Sequence, residues 1–348
     1  MSPAALVLEA PGRLAFEPLD VRDPGPGEVL IRTLHSGISS GTELSQYRGT
    51  NPFMRRRWDE TRRLFLDADS PSWPYPVRNL GYEEVGEVVA TGPGVDGVRV
   101  GDRVYGTWGH RTHHLAAADW ARERLMPKGA DPLIGIFSHI GAVALNGVHD
   151  ARIRIGDVIA VWGLGVPGQI VAQAARASGA KVIAVDPDAY RRITAVRLGA
   201  ADALDPGKEG AADRIKEMTG GRGADACIEV SGAAPALADA IRAVAYSSRV
   251  VAMGFFQGEV AGLRLGEEFH HNRVELVCSQ ISGVAPDVSH RWSKPRLWRA
   301  AIELQHCGVL NLVPLITHRA PFAEASDLFA RLDRGELGLL QAVLDFEP

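Results

Sequence analysis

The chain has 348 residues, long for one hydrophobic core, so two domains are expected. Hydrophobic residues make up 46% and charged residues 23%, the balance of a soluble globular protein, and a net charge of −4 argues against nucleic acid as the main partner. No run of about 18 uninterrupted apolar residues occurs, so no membrane span is expected, and the start, Met1-Ser-Pro-Ala-Ala-Leu-Val-Leu-Glu9, lacks the basic and apolar regions of a secretory signal.

In chain order, the first hundred residues read as short strands separated by Gly, Pro and Asp. Gly27-Glu-Val-Leu-Ile-Arg-Thr-Leu34, Glu84-Val-Gly-Glu-Val-Val-Ala-Thr91 and Val98-Arg-Val-Gly-Asp-Arg-Val-Tyr105 predict an antiparallel barrel or partial barrel. Residues 50–76 interrupt this rhythm. Their first part predicts a helix carrying apolar Phe53, Trp58 and Phe65 and basic Arg55, Arg56, Arg62 and Arg63. Two readings of it stay open: a solvated charged face, or a lid that meets an anionic or large substrate.

From Ile155 short apolar strands alternate with Ala-rich helices, the sign of a parallel α/β sheet. Strands are expected at Val158–Trp162, Lys181–Val185, 203–204, 226–230, 249–253 and 274–278, with helices such as 168–178 and 235–244 between them. After residue 290 a helix at Lys294–His306, another at 322–332 and a last strand at 341–346 predict a return to the first domain. The expected division is 1–150, 151–290 and 291–348. Cys227, Cys278 and Cys307 form no Cys-x-x-Cys pair and predict buried free thiols in a reducing compartment, the cytoplasm.

The strongest motif is Gly163-Leu-Gly165-Val166-Pro167-Gly168, placed directly after an apolar strand and opening a helix. Gly163 permits a tight turn, Gly165 lets backbone amides approach a pyrophosphate, and Gly168 lets the helix pack on the strand. Val166 and Pro167 begin that helix, whose N-terminus favours phosphate. Asp186 follows Gly168 by 18 residues and closes the second strand, where a carboxylate accepts hydrogen bonds from an adenosine ribose and repels a 2′-phosphate. NAD(H) is therefore expected over NADP(H). Arg191 and Arg192 keep the alternative open.

With these motifs the chain resembles the medium-chain dehydrogenase/reductase superfamily along essentially its whole length. The marks are Ser36-Gly-Ile-Ser-Ser-Gly-Thr-Glu43, Gly81-Tyr-Glu-Glu-Val-Gly-Glu-Val88, Gly101-Asp-Arg-Val104, the nucleotide fingerprint and Pro314-Leu-Ile-Thr-His-Arg319. The resemblance implies a GroES-like barrel joined to a Rossmann domain. In zinc members of the superfamily a Cys, a His and a third ligand hold the catalytic metal. By the resemblance these positions fall at Ser40 (with Ser39 inserted before it), Tyr82 and His139, and the four-cysteine lobe for a structural zinc is missing. No zinc is expected, since a catalytic site needs three N, S or carboxylate ligands. His110, His113 and His114 form a His-x-x-His-His run without a helix signal around it. The first two motifs look locally like the bacteriochlorophyllide dehydrogenase branch, which oxidises a secondary alcohol with NAD.

Without zinc, the oxygen at the reacting carbon needs a proton partner from the chain. Tyr82 is the first candidate, its pKa needing to fall under a nearby cation such as nicotinamide. His139 is the second candidate or a relay, Thr42 matches the hydroxyl relay position, Ser40 is placed to bond substrate, and Glu83 to orient Tyr82 or His139. The expected function is a zinc-independent NAD(H)-dependent alcohol dehydrogenase or ketone reductase acting on a secondary hydroxyl of a sugar, cyclitol or other ring compound. A zinc-free enoyl or quinone reductase using NAD(P)H and a catalytically silent nucleotide-binding protein are the competing readings. An apolar outer strand at 274–278 predicts a homodimer, with a tetramer open.

Overall fold

The computed structural model describes residues 2–67, 70–336 and 338–346. The chain divides into two compact units, Met1–His139 with Val313–Pro348, and Ile140–Leu312.

The second unit is built on six parallel strands in the spatial order Asp202–Leu204, Lys181–Val185, Val158–Trp162, Ala224–Glu229, Val244–Ala252 and Glu275–Cys278. Numbered along the chain this is 3-2-1-4-5-6, the doubly wound order of a Rossmann sheet. The central strands Val158–Trp162 and Lys181–Val185 are buried from their second residue onward, which explains their unbroken apolar runs. The strand expected at 249–253 begins at Val244; an exposed Tyr246 and a positive φ at Ser247 hide its first half from a pattern search.

The expected boundaries at 150 and 290 move to 139/140 and 312/313. Most of the helix Ser138–Asp150 belongs to the second unit because of what it touches. Asn146 Oδ1 accepts a hydrogen bond from Ala285 N at 2.8 Å, Arg249 donates to the Asp150 carbonyl at 2.7 Å, and a Cβ on Gly147 would lie 2.5 Å from Met253 Sδ. The helix Lys294–His306 and the loop after it stay there too: Ala301 packs on Gly141, and Gln173 accepts from Asn311 N at 2.8 Å. The stretch Pro132–Asp150 is long and apolar enough to cross a membrane by length and composition, but most of it is buried, as in a core helix.

In the first unit a mixed sheet runs Ile316–Pro321, Gln341–Asp345, Glu28–Ile38, Glu84–Thr91 and Arg103–Gly106, with His113–Ala117 also paired to Glu28–Ile38. The C-terminal segment thus supplies two strands to the sheet begun by the N-terminal residues. Leu6, Ile38, Leu44, Phe329 and Leu344 fill one core, and Val29, Ile31, Val88, Val104 and Trp108 a second.

The helix expected within residues 50–76 is not formed. After a short turn at Pro52–Met54, the strands Arg57–Asp59 and Leu64–Leu66 make an antiparallel hairpin. Trp58 and Phe65 stand opposite one another with ring centroids 4.9 Å apart, and Phe53 stacks on Trp73 at 4.5 Å. Cross-strand aromatic pairing outweighs the helical spacing here. Its arginines are partly tied down, Arg56 by Asp67 and the Phe65 carbonyl and Arg55 by the Gly49 carbonyl. The expectation of three buried thiols is also corrected: all three cysteines are free, but Cys278 and Cys307 are exposed and only Cys227 is buried.

Candidate active site

In the first unit, the loop that ends the strand Glu28–Ile38 and the loop that precedes Glu84–Thr91 bring Ser39, Thr42 and Tyr82 together. Tyr82 Oη donates to Ser39 Oγ at 2.5 Å, and the Thr42 hydroxyl bonds the same phenol. The His139 ring lies edge-on to the Tyr82 ring, centroids 5.0 Å apart. Tyr82, Thr42 and His139 therefore gather as expected. Ser40 does not: it is exposed, and the serine that meets the phenol is Ser39. The extra residue in Ile38-Ser39-Ser40-Gly41 leaves the register of this turn ambiguous in sequence.

Glu83 is also placed differently from expectation. Its carboxylate takes a hydrogen bond from Gln341 Nε2 at 3.3 Å, on the returning C-terminal strand, rather than orienting Tyr82 or His139. Gly37 makes room for it, since a Cβ there would sit 2.4 Å from Glu83 Oε2. Behind the phenol lies a chain of buried polar groups that the sequence reading missed. Ser39 N donates to Glu43 Oε1 at 2.9 Å, and Glu43 Oε2 is 2.7 Å from His110 Nε2. His110 Nδ1 is 2.6 Å from Ser36 Oγ, which donates to Glu84 Oε1 at 3.0 Å. Glu84 also accepts from Trp108 N at 2.6 Å. Glu43, Glu83, Glu84 and His110 are each at most 1% exposed.

Burial dominates the electrostatics. It raises the pKa of Tyr82 well above the ordinary phenol value, with Glu83 and Glu43 adding to the rise and the Ser39 and Thr42 hydrogen bonds only partly opposing it. In the protein alone Tyr82 therefore stands as a neutral phenol. Burial, then Glu43 and Glu84, push Glu83 well above the usual carboxylate range. Burial raises Glu84 too, restrained by His110, the Trp108 amide and the Ser36 hydroxyl. Burial alone would lower His110, but the charge and hydrogen bond of Glu43 and the charge of Glu84 outweigh it, so its pKa rises.

In the second unit the fingerprint forms the turn from Val158–Trp162 into the helix Val166–Ala177. Gly163 has φ +87°, and a Cβ on it would lie 2.7 Å from Ser231. A Cβ on Gly168 would lie 1.8 Å from the Gly163 carbonyl oxygen, so only glycine allows this helix to start so close to the strand. Beside Gly165 a Cβ would meet nothing nearer than Pro167 Cδ at 3.9 Å, and no side chain caps the helix. Open space and uncapped amides suit a pyrophosphate. Asp186, 3% exposed, accepts from Leu164 N at 2.7 Å and Asp188 N at 2.8 Å, leaving further lone pairs on both carboxylate oxygens. Arg191 Nη1 is 3.9 Å from Asp186 Oδ2, while Arg192 is occupied by the Asp186 carbonyl and Asp205.

A doubly wound sheet with this turn defines a dinucleotide-binding domain. Residues 25–149 match the alcohol dehydrogenase GroES-like domain and residues 167–294 the zinc-binding dehydrogenase domain. The chain is 33% identical over 330 residues to D-guloside 3-dehydrogenase of Escherichia coli (strain K12), covering 93% of this chain and 94% of that protein. It is 28% identical to L-threonine 3-dehydrogenase of Pyrococcus furiosus, with 92% of each covered. A solved zinc-binding dehydrogenase of Sinorhizobium meliloti bound to NADP superposes with a TM-score of 0.79 at 23% identity, over 99% of this chain and all of that one. The protein belongs to the medium-chain dehydrogenase/reductase superfamily, with a GroES-like domain and a Rossmann domain.

The family's zinc does not fit the donors present. One alcohol, one phenol and one imidazole (Ser39, Tyr82 and His139) cannot replace three N, S or carboxylate ligands. Among the described residues no group of three or more His, Cys, Asp or Glu is placed to hold a metal ion. The nicotinamide dinucleotide does fit: Gly163, Gly165, Val166, Pro167 and Gly168 would hold its pyrophosphate and Asp186 its adenosine ribose, with Arg191 at the rim.

Proposed function

We propose that this enzyme is a zinc-independent, NAD(H)-dependent dehydrogenase or ketone reductase acting on a secondary hydroxyl of a ring compound of the sugar class. The observation that carries the reading is the neutral Tyr82 phenol, bonded by Ser39 and Thr42 and flanked by His139, at the positions where zinc members hold their metal. Bound nicotinamide supplies or accepts the hydride. The chain's own groups handle the oxygen. In reduction Tyr82 donates its proton to the carbonyl oxygen, and the Thr42 hydroxyl supports the phenolate that remains. In oxidation the alcohol proton passes the other way. Asp186 supports NAD(H) over NADP(H), because its carboxylate repels a 2′-phosphate and Arg192 is already paired. The sugar class is supported by the guloside dehydrogenase relative. The edge strand Glu275–Cys278 supports a homodimer.

The test is turnover of a panel of methyl glycosides and cyclitols with NAD⁺, with zinc measured in the same sample. Tyr82→Phe is expected to lose about 10²–10⁴-fold in kcat with NADH affinity intact. Near-normal turnover by that variant rejects the assignment of Tyr82. Stoichiometric zinc, with activity lost to a chelator and restored by the ion, rejects zinc independence.

A further inference from the structure

We propose that Glu43 and His110 are positioning residues for the reaction: His110, clamped between Glu43 and Ser36, locks the Glu43 carboxylate against the Ser39 amide, and Ser39 holds the Tyr82 hydroxyl. This rests on the reading of Tyr82 as the proton donor given above.

The geometry is continuous from the phenol inward: Tyr82 Oη to Ser39 Oγ at 2.5 Å, Ser39 N to Glu43 Oε1 at 2.9 Å, Glu43 Oε2 to His110 Nε2 at 2.7 Å and His110 Nδ1 to Ser36 Oγ at 2.6 Å. With the Ser36 hydroxyl hydrogen given to Glu84 and Glu43 ionised, Ser36 accepts from His110 Nδ1 and Glu43 accepts from Nε2. In that arrangement, which the proposal assigns, the ring is an imidazolium. The charged groups facing it are Glu43, from the short helix Thr42–Tyr47, and Glu84, from the strand Glu84–Thr91. The Phe329 ring covers it from the C-terminal helix Ala325–Asp333, centroids 5.9 Å apart, and a Cβ on Gly81 would lie 2.8 Å from it. Tyr82 and Glu83 in turn face Glu43.

Stability alone does not explain such a chain. Well-packed apolar residues often serve a core as well as buried ions do. What apolar residues cannot do is fix the Ser39 amide and balance a carboxylate beside a reacting phenol. Glu43 and His110 do both at a distance from the substrate.

A double-mutant cycle tests this, using NAD⁺ and the methyl glycoside of the panel with the highest turnover. Glu43→Gln is expected to lower kcat about tenfold while KM for glycoside and NAD⁺ changes less than about twofold. The pH at which alcohol oxidation rises should move down, because removing the Glu43 charge loosens the phenol's proton. Glu43→Asp should recover part of the loss. In a Tyr82→Phe background the same Glu43→Gln change should cost less than about twofold. An undiminished loss in that background, or an unmoved pH profile, overturns the proposal while leaving Tyr82 in place. Near-normal turnover of Tyr82→Phe alone overturns the functional reading and this proposal with it. If Glu43→Gln does not fold, Ser36→Ala carries the same cycle. Imidazole ¹⁵N shifts supply a readout without turnover: His110 should be doubly protonated at neutral pH, and a neutral ring there overturns the proposal.

Discussion

The two candidate sites are built from different materials. In the Rossmann unit, backbone makes most of the site: three glycines, uncapped amides and one carboxylate that braces the turn it serves. In the GroES-like unit, side chains make nearly all of it, and carboxyl groups and an imidazole that would be costly in isolation are paired in a closed set. A backbone site depends on close approach and tolerates change around it. A side-chain site can be rebuilt by substitution, and by the resemblance a phenol, a hydroxyl and an imidazole stand here where zinc members carry metal ligands.

Four expectations sharpen this contrast. The largest effect is the loss of kcat in Tyr82→Phe, which should leave NADH affinity intact because the glycine turn and Asp186 are unchanged. Gly168→Ala should do the reverse. Its added Cβ strikes the Gly163 carbonyl, so thermal unfolding should reveal a loss of about 1–3 kcal/mol and calorimetry a weakened NADH complex. A variant with unchanged melting and affinity would contradict the packing described for that turn. Asp186→Asn should weaken NADH by about ten- to a hundred-fold and narrow the preference over NADPH; an unchanged ratio would remove Asp186 from the ribose site.

The smallest effect concerns stability against pH. Burial raises the folded pKa values of Glu83 and Glu84, and Glu43 and Glu84 raise that of His110 against its burial. Each group therefore contributes stability that is full below its unfolded pKa and is lost as pH climbs through the folded one. For the carboxylates the loss begins above about pH 4.5, and for His110 above about pH 6.5. The melting temperature should fall across this range, and Glu83→Gln should flatten the fall by a few degrees. A melting temperature that climbs with pH would show that these groups are not buried as described.

Much of the fold was legible because burial on both faces or on one stripe leaves a plain pattern. Val158–Trp162, Lys181–Val185, Glu84–Thr91 and Lys294–His306 coincide with their expected limits. The hairpin at residues 57–66 was not legible, because Phe53, Trp58 and Phe65 fit a helical spacing and their partner Trp73 is remote. The nucleotide turn could be read because its parts are adjacent. The His110 network could not, because its members lie 48, 67 and 74 positions apart and each looks ordinary alone. The one local signal was the run Tyr82-Glu83-Glu84 leading into an apolar strand, where successive carboxylates have no obvious route to water.

The three thiols turn the surface of the Rossmann unit into something that can be counted. A maleimide dye should label Cys278 and Cys307 in the native protein and reach Cys227 only in denaturant. Cys278 sits on the outermost strand of the parallel sheet and Cys307 at the end of a helix. Self-association through that strand would slow dye attachment at the first while the second keeps its pace, giving each measurement its own clock.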